Sequence, residues 1–193
     1  MTVKKIVVGI TGASGAPYAR RLLSVLVRQP QVEIGCVLSR TARSVWALEC
    51  GGSPEELGVT VHPPDGYAAP FASGSAGWQA MVVVPCSMGT LSRIAQGTSE
   101  SLLTRAADVM LKERRTLILV PRETPMSTIH LENMLSVARA GALVLPACPS
   151  FYGRPRSLGD VVDTVVARVL DQLGIAHDLA TRWGSEAPQS ETP

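Results

Sequence analysis

An arginine and a glutamate stand side by side in Val120-Pro121-Arg122-Glu123-Thr124-Pro125. The run before them, Thr116 to Val120, is short, apolar and β-branched, as buried parallel strands are. Ligands of open α/β sheets bind beyond the carboxyl ends of such strands. A cation and a carboxylate at that point suit anion binding coupled to proton transfer. Adjacent residues of an extended segment point to opposite sides, so separate roles are expected for the two. A surface ion pair of little energetic weight is the competing reading.

Two further strand ends carry small polar residues. Gly12-Ala13-Ser14-Gly15 follows the run Lys4 to Ile10. Glycines there permit a close backbone approach, and the free amides of the next helix can face an anion. The segment is neither a Walker loop nor Gly-x-Gly-x-x-Gly, so a plain turn stays open. Ser87-Met88-Gly89-Thr90 follows Met81 to Val84. Its hydroxyls suit a phosphate or a carbonyl-rich ring, and an N-cap by Ser87 is the alternative. Ser39, after Val32 to Leu38, fits the same set. Taken singly, Lys112 reads as a cation complementing a helix C-terminus, Arg168 as a solvated helix residue and Tyr152 as packing.

Holding these ends together requires strands alternating with helices. Strands are expected at Lys4–Ile10, Val32–Leu38, Met81–Val84, Thr116–Val120 and Ala142–Leu145. Helices are expected from Pro17 to Arg28, from a Ser39 or Thr41 cap to Glu49, from Thr90 to Ala95 and from Ser101 to Lys112. A fifth has Thr124-Pro125 as cap and first turn, Leu131, Met134, Leu135 and Ala138 on its apolar face, and its end at Gly141. A last one opens on the capping box Ser157-Leu158-Gly159-Asp160, turns Val161, Val162, Val165, Val169 and Leu173 inward and stops at Gly174. Cys50 to Gln79 shows weak periodicity, although its Ala69 to Ser75 run reads as ordered. Alternation from end to end predicts a parallel sheet covered on both faces.

With 193 residues, 46% of them hydrophobic, the chain fits one domain with a sizeable core. A net charge of +2 with scattered basic residues gives no reason to expect nucleic acid. The four cysteines, Cys36, Cys50, Cys86 and Cys148, lack metal-ligand spacing and read as reduced thiols packed as small hydrophobes. No signal-peptide pattern and no apolar run of about 18–20 residues occurs, so a soluble cytoplasmic protein away from the membrane is expected. The polar residues 185–193 are expected to form a disordered tail after a single domain over 1–184.

Several of these segments together resemble the UbiX family of flavin prenyltransferases. The resemblance runs from Lys4 to about Trp183. It rests on Thr11-Gly12-Ala13-Ser14-Gly15, Ala72-Ser73-Gly74-Ser75, Pro85-Cys86-Ser87-Met88-Gly89-Thr90, Arg105-Ala106-Ala107-Asp108-Val109 with Leu111-Lys112-Glu113, Val120 to Pro125, His130-Leu131-Glu132-Asn133-Met134-Leu135 and Phe151-Tyr152. Ser150, where the family often has glycine, is a departure beside the last of these.

The resemblance implies a flavodoxin-like (Rossmann-like) α/β fold, a three-layer sandwich with a parallel sheet. It implies transfer of a dimethylallyl group from dimethylallyl phosphate to reduced FMN, at N5 and C6, without a metal. The product would serve a UbiD-type decarboxylase, in ubiquinone synthesis or aromatic-acid decarboxylation, and the assembly would be a homododecamer with its sites at subunit contacts. By the same resemblance, Gly12, Ala13, Ser14, Ser39, Ser87, Met88, Gly89, Thr90 and Arg122 hold FMN. Lys112, Arg122, Tyr152 and Arg168 hold dimethylallyl phosphate. Glu123 protonates the leaving phosphate or handles a ring proton, and Ser14 relays the N5 proton. Glu49 comes from a neighbouring subunit, and Trp183 stacks near the prenyl group. A flavin-dependent decarboxylase of the cysteine-decarboxylase type and a non-enzymatic flavin-binding subunit are the alternatives.

Overall fold

Ile6, Val7, Val8 and Ile10 are all buried, so the first strand turns neither face to water. The computed structural model describes residues 3–182 and 184. Strands β1 (Lys4–Ile10), β2 (Val32–Leu38), β3 (Val61–His62), β4 (Ala80–Cys86), β5 (Thr116–Pro121) and β6 (Leu143–Val144) form one sheet in the order β3-β2-β1-β4-β5-β6. Every pairing is parallel. This is the expected α/β flavodoxin-like architecture. The chain moves outward from β1 to β2 and β3, then returns to place β4 on the other side of β1. The carboxyl ends of β1 and β4 therefore border a switch-point crevice.

The helices are α1 (Ala16–Leu26), α2 (Ala42–Cys50), α3 (Met88–Ala95), α4 (Leu102–Lys112), α5 (Thr128–Arg139) and α6 (Leu158–Leu173). Leu103, Ala106, Ala107 and Met110 of α4 pack with Val7, Met81, Val83, Leu117 and Leu119 of the sheet. Ile6, Val8 and Ile10, of opposite parity, turn to the other face, where α1 meets β1 and β4. Each fully buried aliphatic side chain of this kind contributes roughly 1.5–3 kcal/mol.

Three local expectations need correction. The stretch from Cys50 to Gln79 hides β3, whose two residues pair with Cys36 and Val37 and are too few to show a period. Its Ala69 to Ser75 run is ordered as two 3-10 turns, Pro70–Ala72 and Gly74–Ala76, with Phe71 buried edge-on to Trp78 at 5.3 Å. Thr124-Pro125 does not begin α5: Ser127 is the cap, its hydroxyl accepting the His130 amide at 3.3 Å. The buried stripe of α5 is Asn133 and Val137, while Leu131 and Leu135 are about half exposed, at 53% and 50%. Asn133 accepts from Gln96 at the end of α3 at 3.5 Å, a polar contact on the buried side that apolar periodicity does not show.

Contact density divides the chain into two compact units, residues 1–147 and a second from Cys148 onward. Within the second, Ser157 and Asp160 form the expected capping box and Gly174 ends α6 in the left-handed region, at φ 63°. Val162, Val165, Val169 and Leu173 are buried as expected, and Val161 only partly. The tail residues 185–193 and Trp183 lie outside the described residues. Cys36 and Cys86 are buried, which pushes both thiols up to about 12. Cys148 is exposed, contrary to the expectation of a packed thiol. Among the described residues, no helix is long and apolar enough to cross a membrane.

Candidate active site

Thr11, buried at the end of β1, ties the crevice together. Its hydroxyl donates to the Pro85 carbonyl at 2.7 Å and accepts the Ser87 amide at 2.8 Å. The β1 and β4 loops are thereby held in one geometry. A methyl group on Gly12 would collide with the side chain of Thr41, so only glycine lets the β1 loop pass beneath the start of α2.

The first turn of α1 carries its own anion. Gly15 and Ala16 donate their amides to one carboxylate oxygen of Glu49, both at 2.8 Å. Burial pushes the Glu49 carboxyl up, but the Ser14 hydroxyl, the Gly15 and Ala16 amides and nearby Arg122 outweigh it and hold the acid below its ordinary value. Glu49 thus belongs to this rim within its own chain, where a neighbouring subunit was expected to supply it. Arg122, just past β5, donates from Nε to the Ser14 carbonyl at 2.9 Å. Glu123 turns elsewhere, accepting the Thr124 amide at 3.0 Å. Arg122 and Glu123 therefore have different hydrogen-bond partners.

On the other side of the β4 end, Ser87 caps α3, accepting the Thr90 amide at 3.3 Å while donating to the Thr90 hydroxyl at 3.1 Å. Met88 turns its side chain into the core, so only its main chain can serve a ligand. Ser39 or Thr41 is the expected cap of α2; Thr41 holds the N-cap position, but the two hydroxyls face each other at 3.4 Å and neither accepts a free amide of the helix. Thr41 has helical backbone angles, from which a side chain does not reach the amides ahead of it. Ser39, Ser87 and Thr90 line a cavity of about 470 Å³ together with Arg40, Arg93 and Glu100. That size and its hydroxyl-rich wall suit a flavin mononucleotide. Sequence reasoning missed Thr11, Thr41, Arg40 and Arg93 as site-forming residues, because only the fold brings them to the crevice.

Within the same unit, Lys112 is not gathered here. Lys112 ends α4 and pairs with Glu113 at 2.6 Å. It lies just before the start of β5, whereas Arg122 follows the end of that six-residue strand. The two are separated by roughly 20 Å of strand, so one chain cannot bring them to one phosphate. Around Lys112, Arg105 donates to the Ala72 carbonyl at 3.1 Å and Arg115 to that of Gly74 at 2.7 Å. Motifs at 72–75 and 105–113 thus meet at the opposite rim. In the second unit, Tyr152 is exposed, and Arg168 donates to Asp171 at 2.7 Å. Asp171 also binds His177 at 3.0 Å and Arg182 at 3.1 Å. Among the described residues, no group of three or more His, Cys, Asp or Glu could hold a metal ion.

A parallel sheet with hydroxyl-bearing strand ends at such a cavity is a framework on which nucleotide cofactors bind, and comparisons with known proteins narrow the class. The family model Flavoprotein matches residues 1–170, and the chain belongs to that family. Within it the chain groups with the UbiX flavin prenyltransferases. A probable UbiX-like flavin prenyltransferase of Streptomyces sp. (strain D7) is 51% identical over 183 residues, covering 93% of this chain and 91% of the relative. AnUbiX (PadA1), solved in complex with FMN and dimethylallyl pyrophosphate, is similar at a TM-score of 0.91 and 43% identity, over 95% of this chain and 99% of that one. A dodecameric FMN-dependent UbiX-like decarboxylase from Escherichia coli O157:H7 gives 0.90 at 47% identity, over 93% and 98%.

Proposed function

We propose that the chain transfers a dimethylallyl group from dimethylallyl phosphate to reduced FMN and delivers the prenylated FMN to a UbiD-type decarboxylase. The observation that carries this reading is the junction of Ser14, Glu49 and Arg122 at the crevice rim, beside the hydroxyl-lined cavity. We assign residues 1–184 to one flavin-binding domain.

Reduced FMN supplies the nucleophilic ring that accepts the prenyl group. The protein supplies position, charge and proton transfer. The main-chain amides of Gly12, Ala13, Met88 and Gly89 and the hydroxyls of Ser39, Ser87 and Thr90 hold the acceptor. Ser14, hydrogen-bonded to the Glu49 carboxylate, would relay the proton released at flavin N5, taking it up on its oxygen as it hands its own to that carboxylate. Glu123 donates a proton to the leaving phosphate.

Arg122, Arg168, Tyr152 and Lys112 stabilise the phosphate as it departs. Fixed cationic and hydrogen-bonding groups can replace a metal for a monophosphate. Because Lys112 stands at the far rim, its part is played from a second copy, which fits a site completed in a dodecamer. A cysteine-decarboxylase reading would need an asparagine in the loop after the central strand. Asn133 is the only asparagine in the chain and lies buried on α5 against Gln96.

The reading is tested by incubating the protein anaerobically with reduced FMN and dimethylallyl phosphate in the presence of a metal chelator. The filtered flavin is then added to a cofactor-free UbiD-type decarboxylase. Recovered decarboxylation is expected, and none, with authentic prenylated FMN active in parallel, would overturn it.

A further inference from the structure

Two arginines, Arg40 and Arg93, line the cavity without a role in the reaction just described, and Arg93 is the one whose guanidinium is held in place. Arg93 lies one turn into α3, donates from Nη1 to the Gly89 carbonyl at 2.9 Å and is ion-paired with Glu100. Both partners of that pair line the cavity with Ser39, Thr90 and Ser101. Gly89 leaves the room: a methyl group there would already touch Arg93 Nη1 at 3.5 Å, and a longer side chain would compete for its place.

Two observations say which end of FMN this wall meets. The α1 N-terminus, the other place where a phosphate would be sought, is filled by the Glu49 carboxylate. The cavity walls come from the β2–α2 turn, α3 and the start of α4. The reacting edge assigned to Ser14 and Arg122 lies instead along the β1 and β5 loops. A planar fork of N–H donors matches phosphate oxygens. Holding that fork in place beforehand, through Gly89 and Glu100, reduces the entropy lost on binding.

We infer that Arg93 grips the phosphate of FMN and makes this site select FMN over riboflavin. The inference rests on the FMN-binding reading above. Its test is fluorescence titration of FMN and of riboflavin into wild type, Arg93→Ala, Arg93→Gln and Arg93→Lys, with melting temperatures measured alongside.

For Arg93→Ala and Arg93→Gln, the FMN Kd rises about ten- to a hundred-fold, the range of a lost charged hydrogen bond, while the riboflavin Kd is unchanged. Arg93→Lys recovers part of the loss. Arg93→Gln decides the matter if Arg93→Ala does not fold. Equal weakening of both ligands, weakening of riboflavin alone, or unchanged FMN binding in the variants overturns the inference and leaves the FMN reading standing. Wild type that binds neither ligand overturns both.

Discussion

The guanidinium of Arg122 donates from Nε to the main-chain carbonyl of Ser14 at 2.9 Å. The strands that carry these residues, β5 and β1, are not neighbours, because β4 lies between them. The bond therefore bridges the crevice and leaves the two Nη groups of Arg122 available for an anion. It also brings a positive charge toward Glu49, the acid already bound to the Gly15 and Ala16 amides. Arginine, hydroxyl and carboxylate form one connected unit at the place where proton transfer is proposed.

Gly12→Ala is expected to destabilise the protein by about 1–3 kcal/mol, the usual cost of overpacking, because the new methyl meets Thr41. For a chain of this length that lowers Tm by about 2–12 °C. FMN affinity falls with it, since the β1 loop must move. Adding Thr41→Gly removes both obstructing atoms, Oγ1 and Cβ, so the double variant should regain most of both. Calorimetry and flavin titration check this; a double variant as poor as the single one would refute the steric explanation.

Glu49→Gln keeps an oxygen for the two amides and removes the charge. At neutral pH it should lower stability by about 0.3–1 kcal/mol, as loss of a carboxylate from a helix N-terminus does. The folded-state value of Glu49 is depressed below 4.5. Its contribution is therefore complete above 4.5 and disappears as pH falls through the lower folded value. Wild type and variant should differ in Tm at neutral pH and converge in acid. A difference that grew on acidification would have the wrong sign.

Glu123→Gln should leave FMN binding intact while kcat drops by about 10²–10⁴, the range for a lost general acid. Flavin titration and single-turnover assays separate the two effects. Unchanged turnover would remove Glu123 from the proton chemistry.

Lys112→Ala and Arg122→Ala should each be inactive as pure assemblies. If Lys112 acts from a second copy, mixed assemblies of the two variants contain some sites with both residues intact. Co-expression should then restore activity, up to about a quarter of wild type by random mixing of one pair of contributors. No recovery in mixed particles of normal size would contradict a shared site.

The strands and most helix ends were legible because local rules set them. β4 and β5 are nearly continuous apolar runs, β1 and β2 become so after Lys5 and Glu33, and Ser101, Ser157 and Gly174 mark helix ends by the hydrogen bonds they make. Residues Ser87 and Arg122 could be found as strand-end residues for the same reason. The position of Glu49 could not: α2 carries it back to the first turn of α1, where Arg20 also donates to the Cys50 carbonyl, and no local period encodes that direction. Arg93 was equally hidden, since its place depends on the room above Gly89. Lys112 was read correctly as a helix-ending cation, but its distance from Arg122 follows only from the strand between them.

The most direct measurement is the mass of the flavin after anaerobic incubation of the protein with reduced FMN and dimethylallyl phosphate. Wild type should convert FMN into a species heavier by one C5 unit, and Arg122→Ala should not. A flavin of unchanged mass with wild type, under conditions in which a known flavin prenyltransferase gives the adduct, would contradict the account.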